Sequence, residues 1–278
     1  MTEPTSERDP LVGRTLRAYR IQEQIGVSRW GKVYRAFQSS ISRTAAVLVL
    51  SPQIAAQPGK IERFLEESSV EARLIHPHLV LIYEAGPAEG TYFCAMEYMD
   101  GPPLPEFLRA GDEVNEHRLL QTIVGVARAL DFLWQRQVPH RPPLDKNVLT
   151  ATDGTIKLIN VQPVDAPPSQ SPQEDLLKLG VMVATLANNI APVSKRISEF
   201  VERMLGAEGR EPFPSLAAVA NAAEALDEKL FSPTESAKPT FETGQSKRIN
   251  PLIVIAIGLL VLVLIAVAVW FHGGTSAR

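Results

Sequence analysis

The chain has a single cysteine, Cys94, so no internal disulfide can form and a reducing compartment suits it. Cys94 lies in the apolar run Tyr92-Phe93-Cys94-Ala95-Met96, where a small buried thiol is expected. Basic clusters are also scarce. No Lys/Arg run exceeds Lys247-Arg248 and the net charge is only -3, which excludes an electrostatic footprint on nucleic-acid phosphates. The histidines, at 76, 78, 117, 140 and 272, lack ligand spacing. His76-Pro77-His78 is expected to be a turn, because no Cys or third His follows at zinc-site spacing. The N-terminus has no apolar signal-peptide core.

Charge is absent from residues 252–271, a stretch of 20 residues rich in Leu, Ile and Val. As a helix it would cover about 30 Å, the hydrocarbon thickness of a bilayer, and it has no polar stripe for a soluble surface. One transmembrane helix is therefore expected over residues 250–271. Lys247 and Arg248 precede it, whereas only His272 and Arg278 follow, so the positive-inside bias puts the bulk of the chain in the cytoplasm. Residues 272–278 are left as a short extracytoplasmic tail. Residues 1–15, polar and containing Pro4 and Pro10, read as a disordered leader, residues 16–230 as one folded domain, and residues 231–249 as a flexible linker.

Within the domain, residues 21–50 read as a β-hairpin and a third strand. The hairpin turn is Gly26-Val27-Ser28-Arg29-Trp30-Gly31-Lys32-Val33, and the third strand is Ala45-Ala46-Val47-Leu48-Val49-Leu50. Residues 61–74 have helical spacing in Phe64, Leu65, Ala72 and Leu74. Two further strands, residues 82–86 and 92–101, end in Ala95-Met96-Glu97-Tyr98-Met99-Asp100-Gly101. Helices at 104–108 and 116–135 lead into His140-Arg141-Pro142-Pro143-Leu144-Asp145-Lys146-Asn147-Val148-Leu149. The strand Thr155-Ile156-Lys157-Leu158-Ile159-Asn160-Val161-Gln162 follows, then helices beginning Asp175-Leu176-Leu177-Lys178-Leu179-Gly180 and spanning 197–205 and 215–230.

In this order the segments resemble the protein kinase family, in particular bacterial membrane-anchored Ser/Thr kinases. The resemblance implies an α+β, bilobal protein-kinase-like fold, with a β-rich N-lobe at about 16–98, a helical C-lobe at about 99–230, and one C-terminal transmembrane helix. It also implies where the chemistry belongs, and there the residues depart from the family. Of the glycines that let backbone fold over nucleotide phosphates, Gly26 and Gly31 remain, but the middle one is Ser28, beside bulky Arg29 and Trp30. The phosphate-pairing lysine is Leu48. Lys32 cannot replace it, because strand side chains alternate and Val33 is the neighbour that faces the adenine. The glutamate partner of that lysine falls at Glu67, which is expected to turn to solvent or pair with Arg63. Met96 takes the gatekeeper position. The Glu97 carbonyl and Met99 amide would face an adenine edge, with Val33, Ala46 and Leu149 lining the pocket. Backbone groups survive side-chain change, so ATP or another adenine nucleotide without magnesium remains open as a ligand.

The catalytic loop keeps its frame in His140, Arg141 and Asn147, but the base is Pro142, which has no titratable group, and the loop lysine is Leu144. Asp145, three residues on, is a weak stand-in. The Asp-Phe-Gly triplet is Asn160, Val161 and Gln162, so the metal positions offer two neutral amides, Asn147 and Asn160, which suit magnesium poorly. Residues 161–174 are too few for a full activation segment, with Ser171-Pro172-Gln173 a remnant of Ala-Pro-Glu. The step from Asn189 to Ile197 omits a helix of the peptide-substrate platform. The expectation is a membrane-anchored pseudokinase with no catalytic residue and no metal site, acting as a signalling scaffold or allosteric partner of proteins at the cytoplasmic membrane face. One alternative is an atypical Ser/Thr kinase using Asp145 with Asn147 and Asn160. The other is an interaction module without ligand, its pocket filled by Trp30, Leu48 and other apolar groups.

Overall fold

The computed structural model describes residues 9–28, 30–138, 145–160, 169–207 and 209–231. The expected linker apart from Phe231, which ends a helix, the expected transmembrane helix and tail, and the loop residues His140, Arg141, Pro142 and Leu144 lie outside them, as do Val161 and Gln162. The chain divides into two compact units, Met1–Gly101 with Lys157–Pro167, and Pro102–Ile156 with Pro168–Arg278.

The first unit is built on a six-stranded antiparallel sheet. Its strands are β1 (Thr15–Leu16), β2 (Tyr19–Val27), β3 (Gly31–Gln38), β4 (Arg43–Leu50), β5 (Ile82–Ala88) and β6 (Thr91–Glu97), in the spatial order β1-β2-β3-β4-β6-β5. Strand β4 is central, and every residue from 45 to 50 is buried. A strand covered on both faces shows no polar alternation, which is why this run reads as continuously apolar. One face packs Tyr19, Ile21, Tyr34, Val47 and Phe93 together, with Leu11 and Leu16 from the N-terminal segment. The other face carries Leu48 and Cys94, which are directly opposite in the β4–β6 register. Two helices follow β4, the single turn α1 (Pro52–Ala55) and α2 (Lys60–Glu71). Gly59, at φ +72°, opens α2, and Phe64, Ser68 and Glu71 form its buried stripe at i, i+4 and i+7.

The N-terminal segment takes part in this fold further than a leader over residues 1–15 would allow. The Asp9 carboxylate accepts from Tyr34 and pairs with Lys32, and the Leu11 amide donates to it at 3.0 Å. Burial pulls the Asp9 carboxyl up, yet the bonds from Lys32, Leu11 and Tyr34 together hold it below its ordinary value.

In the second unit, α3 (Leu104–Phe107) and the short β7 (Arg109–Ala110) and β8 (Glu113–Val114) precede α4 (Glu116–Gln135). The Asn115 side chain caps α4 by accepting the Arg118 amide at 3.0 Å. Its buried stripe includes Leu119, Ile123, Val126, Leu130 and Leu133. The short β9 (Val148–Thr150) and β10 (Ile156–Leu158) follow, the latter with Lys157 and Leu158 in the first unit, then α5 (Pro172–Ile190), α6 (Lys195–Met204) and α7 (Leu216–Phe231). Only residues 191–194 join α5 to α6, in keeping with the missing platform helix. Asp175 in α5 is fully buried. Its carboxylate accepts the Trp134 indole N–H at 2.7 Å and the Ser169 hydroxyl. A buried carboxylate is tolerated only when hydrogen-bonded in this way. Gly180 lets α5 and α6 approach, since a Cβ there would lie 3.0 Å from the Leu205 side chain.

Candidate functional site

Of the residues that the resemblance assigns to phosphate and metal, Ser28, Leu48 and Asn160 belong to the first unit, and each of these three is engaged there by the protein itself. At the β2–β3 turn, the Ser28 amide donates to the Gly31 carbonyl at 2.7 Å and the Gly31 amide returns a bond to the Ser28 carbonyl at 3.2 Å. The Trp30 amide donates to the Ser28 hydroxyl oxygen at 3.2 Å. A loop that cradles phosphate presents free amides to the anion. Here the described amides at the tip are spent within the turn. Ser28 therefore does more than obstruct an approach, because its hydroxyl accepts the Trp30 amide and donates to the Gly31 carbonyl within the turn.

Trp30 points inward. Its ring is 2% exposed and stands edge-on to Phe64 of α2, centroids 5.5 Å apart at 72°, while its carbonyl accepts the Ser51 amide at 2.6 Å. Gly31 sits at φ +156°, where a Cβ would fall 1.9 Å from the Val49 carbonyl oxygen. Only glycine fits, for a reason of packing against β4. Gly26 pairs with Val33 across the hairpin and has open space where a Cβ would stand.

Leu48 is 2% exposed, with Val33 and Cys94 as its register partners on β3 and β6. Glu67 pairs with Arg63 one turn back at 2.8 Å, the second of the two outcomes expected for it. The carboxylate that does turn inward is Glu71, one turn further on and 8% exposed, which accepts the Asn160 side-chain N–H. Sequence reasoning passed over Glu71. The available signal was a carboxylate at i+7 from Phe64 on an otherwise inward stripe, a position that demands a partner. Ser68 and Glu71 both act on Cys94. Burial foremost pushes its thiol up to about 12, Ser68 lowers it by hydrogen bonding and Glu71 raises it, so Cys94 stays a neutral core group.

Of the residues that the resemblance places around adenine, Ala46 and Met96 are buried register partners on the Leu48 face, and Val33 is partly exposed. Glu97 commits its carboxylate inside the unit, accepting Lys157 Nζ at 2.8 Å and the Leu81 amide at 3.1 Å. Met99 follows β6, so the backbone groups expected to meet adenine lie at the end of that strand. Lys32 points to Asp9, away from the Val33 side, as strand alternation requires.

Leu149, Asn147 and Asp145 belong to the second unit. Asp145 is exposed, whereas Asn147 is buried and its Oδ1 has no hydrogen-bond partner among the described residues. The donor set fits magnesium poorly. That ion takes hard, anionic oxygens in octahedral order, and the position that should supply an aspartate presents an amide whose N–H is given to Glu71. The lone Asn147 oxygen is one neutral ligand, and it does not make a site.

A sequence model of the family described as protein tyrosine and serine/threonine kinase matches residues 19–161. A probable serine/threonine-protein kinase of Clostridium acetobutylicum is 27% identical over 149 residues, covering 53% of this chain and 23% of that protein. Serine/threonine-protein kinase pkn3 of Myxococcus xanthus is 32% identical over 147 residues, covering 52% and 27%. The chain thus spans about a quarter of the length of these curated relatives. The crystal structure of the Mycobacterium tuberculosis PknI kinase domain superposes with a TM-score of 0.60 at 26% identity, covering 77% of this chain and 98% of that one.

Proposed function

The chain belongs to the protein tyrosine and serine/threonine kinase family, and from that premise we propose that it is a pseudokinase: a kinase-fold module that acts by binding other proteins and transfers no phosphoryl group. The observation that carries this reading is the fate of Leu48 and Asn160. The first puts a buried hydrocarbon where a cation must neutralise phosphate charge, and the second commits its amide to Glu71 where a metal-binding carboxylate is required. Pro142, which can accept no proton, and the four-residue link between α5 and α6 support it further. The engaged amides at Ser28, Trp30 and Gly31 favour a module that works without nucleotide over one that binds an adenine nucleotide without metal. The apolar stretch at 250–271 would hold the module at the cytoplasmic face of the cell membrane, where a scaffold or allosteric partner of signalling proteins would act.

The test is phosphate transfer by the full-length chain from magnesium ATP labelled in the γ-phosphate, to itself and to casein, beside a competent bacterial kinase domain. No incorporation above the enzyme-free blank is expected. Incorporation that disappears in Asp145→Asn would overturn the proposal in favour of an atypical kinase.

A further inference from the structure

Helix α2 is gripped on its inward stripe by two segments remote in sequence. The Trp30 ring stands against Phe64 in its first half, and the Asn160 amide donates to Glu71 in its last turn. Trp30 is itself tied down through its amide to Ser28 and its carbonyl to Ser51. Between these points the stripe is polar, with Ser68 donating to the Phe64 carbonyl at 2.7 Å beside Cys94. A 12-residue helix is marginal alone, and this one buries one aromatic and two polar side chains along its stripe, so its position depends strongly on what holds them.

We propose that Trp30 and Asn160 form a two-point lock on α2, which fixes the helix against the sheet with the chain's own side chains and makes its position independent of nucleotide and cation. By the resemblance Trp30 lies in the phosphate loop and Asn160 at a metal position, and here both face the helix. The lock goes beyond the functional proposal, since it concerns how α2 is held and not whether phosphate moves. Phosphate transfer with α2 still locked would end the functional proposal alone.

Hydrogen–deuterium exchange of the full-length chain tests it, with the β6 amides as an internal reference for opening of the whole sheet. Asn160→Asp sets a carboxylate against Glu71, and α2 amides should exchange about tenfold faster or more, the effect of a like-charge pair worth at least one pK unit. The double variant Glu71→Gln with Asn160→Asp exchanges the carboxylate and amide ends at nearly constant shape, and should return α2 to within about threefold of the native rate. Trp30→Ala should speed exchange around Phe64 before β6 responds. Magnesium ATP should leave native α2 unchanged. If β6 opens with α2 in Asn160→Asp, Asn160→Ala removes the donor without adding charge, and α2 should then exchange faster than β6. No acceleration of α2 in either Asn160 variant, a double variant as fast as the single one, or slowing of native α2 by magnesium ATP would overturn the lock.

Discussion

Leu48→Lys, the change that recreates the family's phosphate-binding cation, is expected to destabilise the first unit by about 2–4 kcal/mol and to give no nucleotide binding. The leucine side chain is 2% exposed and flanked in register by Val33 and Cys94. Losing its burial forfeits about 1.5–3 kcal/mol, and a buried ammonium adds desolvation unless it finds a carboxylate or sheds its proton. Glu67 is turned to Arg63, and Glu71 already accepts the Asn160 amide, so a lysine here meets no carboxylate without a partner of its own. Leu48→Met, which conserves volume, should cost less than about 1.5 kcal/mol. Urea midpoints of the two variants make the comparison. A Leu48→Lys chain as stable as the native one would mean that a pocket for the cation still exists.

Gly31→Ala should be more damaging still, on the order of 4 kcal/mol or more, because this is backbone overlap and not crowding at a flexible tip. The added Cβ would lie 1.9 Å from the Val49 carbonyl oxygen and 2.7 Å from the Ser51 nitrogen, at φ +156°. Relief requires β3 and β4 to separate at their ends, which also breaks the Ser51–Trp30 bond. Gly26→Ala supplies the control. Among the described residues beyond its chain neighbours, no atom stands within 4 Å of a Cβ there, so the change should be within about 1 kcal/mol of native. Two glycines that would be equivalent in a phosphate loop thus part company by several kcal/mol. Thermal unfolding of both variants checks this, and equal midpoints would refute the assignment of Gly31 to packing.

Much of the fold was legible because its signals are local. Helix α4 was read at the residues it occupies, the apolar run on β4 marked a strand covered on both faces, and the short link between α5 and α6 was a matter of counting. The turn at His76 and Pro77 and the buried Cys94 likewise followed from their neighbours. What escaped was long-range. Asp9 looked like part of a polar leader because its partners, Lys32 and Tyr34, are more than twenty residues away. Glu71 was overlooked because the family frame draws the eye to Glu67, while the partner that decides its orientation, Asn160, lies 89 residues on. Trp30 read as an obstruction over phosphate, and its actual contact with Phe64 required knowledge of where α2 lies on the sheet.

Calorimetric titration of the full-length chain with ATP, with and without magnesium, is the most direct measure of whether the phosphate and metal positions have been taken over by the protein's own groups. Magnesium is expected to add no binding at any concentration up to millimolar. Saturable binding that appears or tightens with magnesium would contradict it.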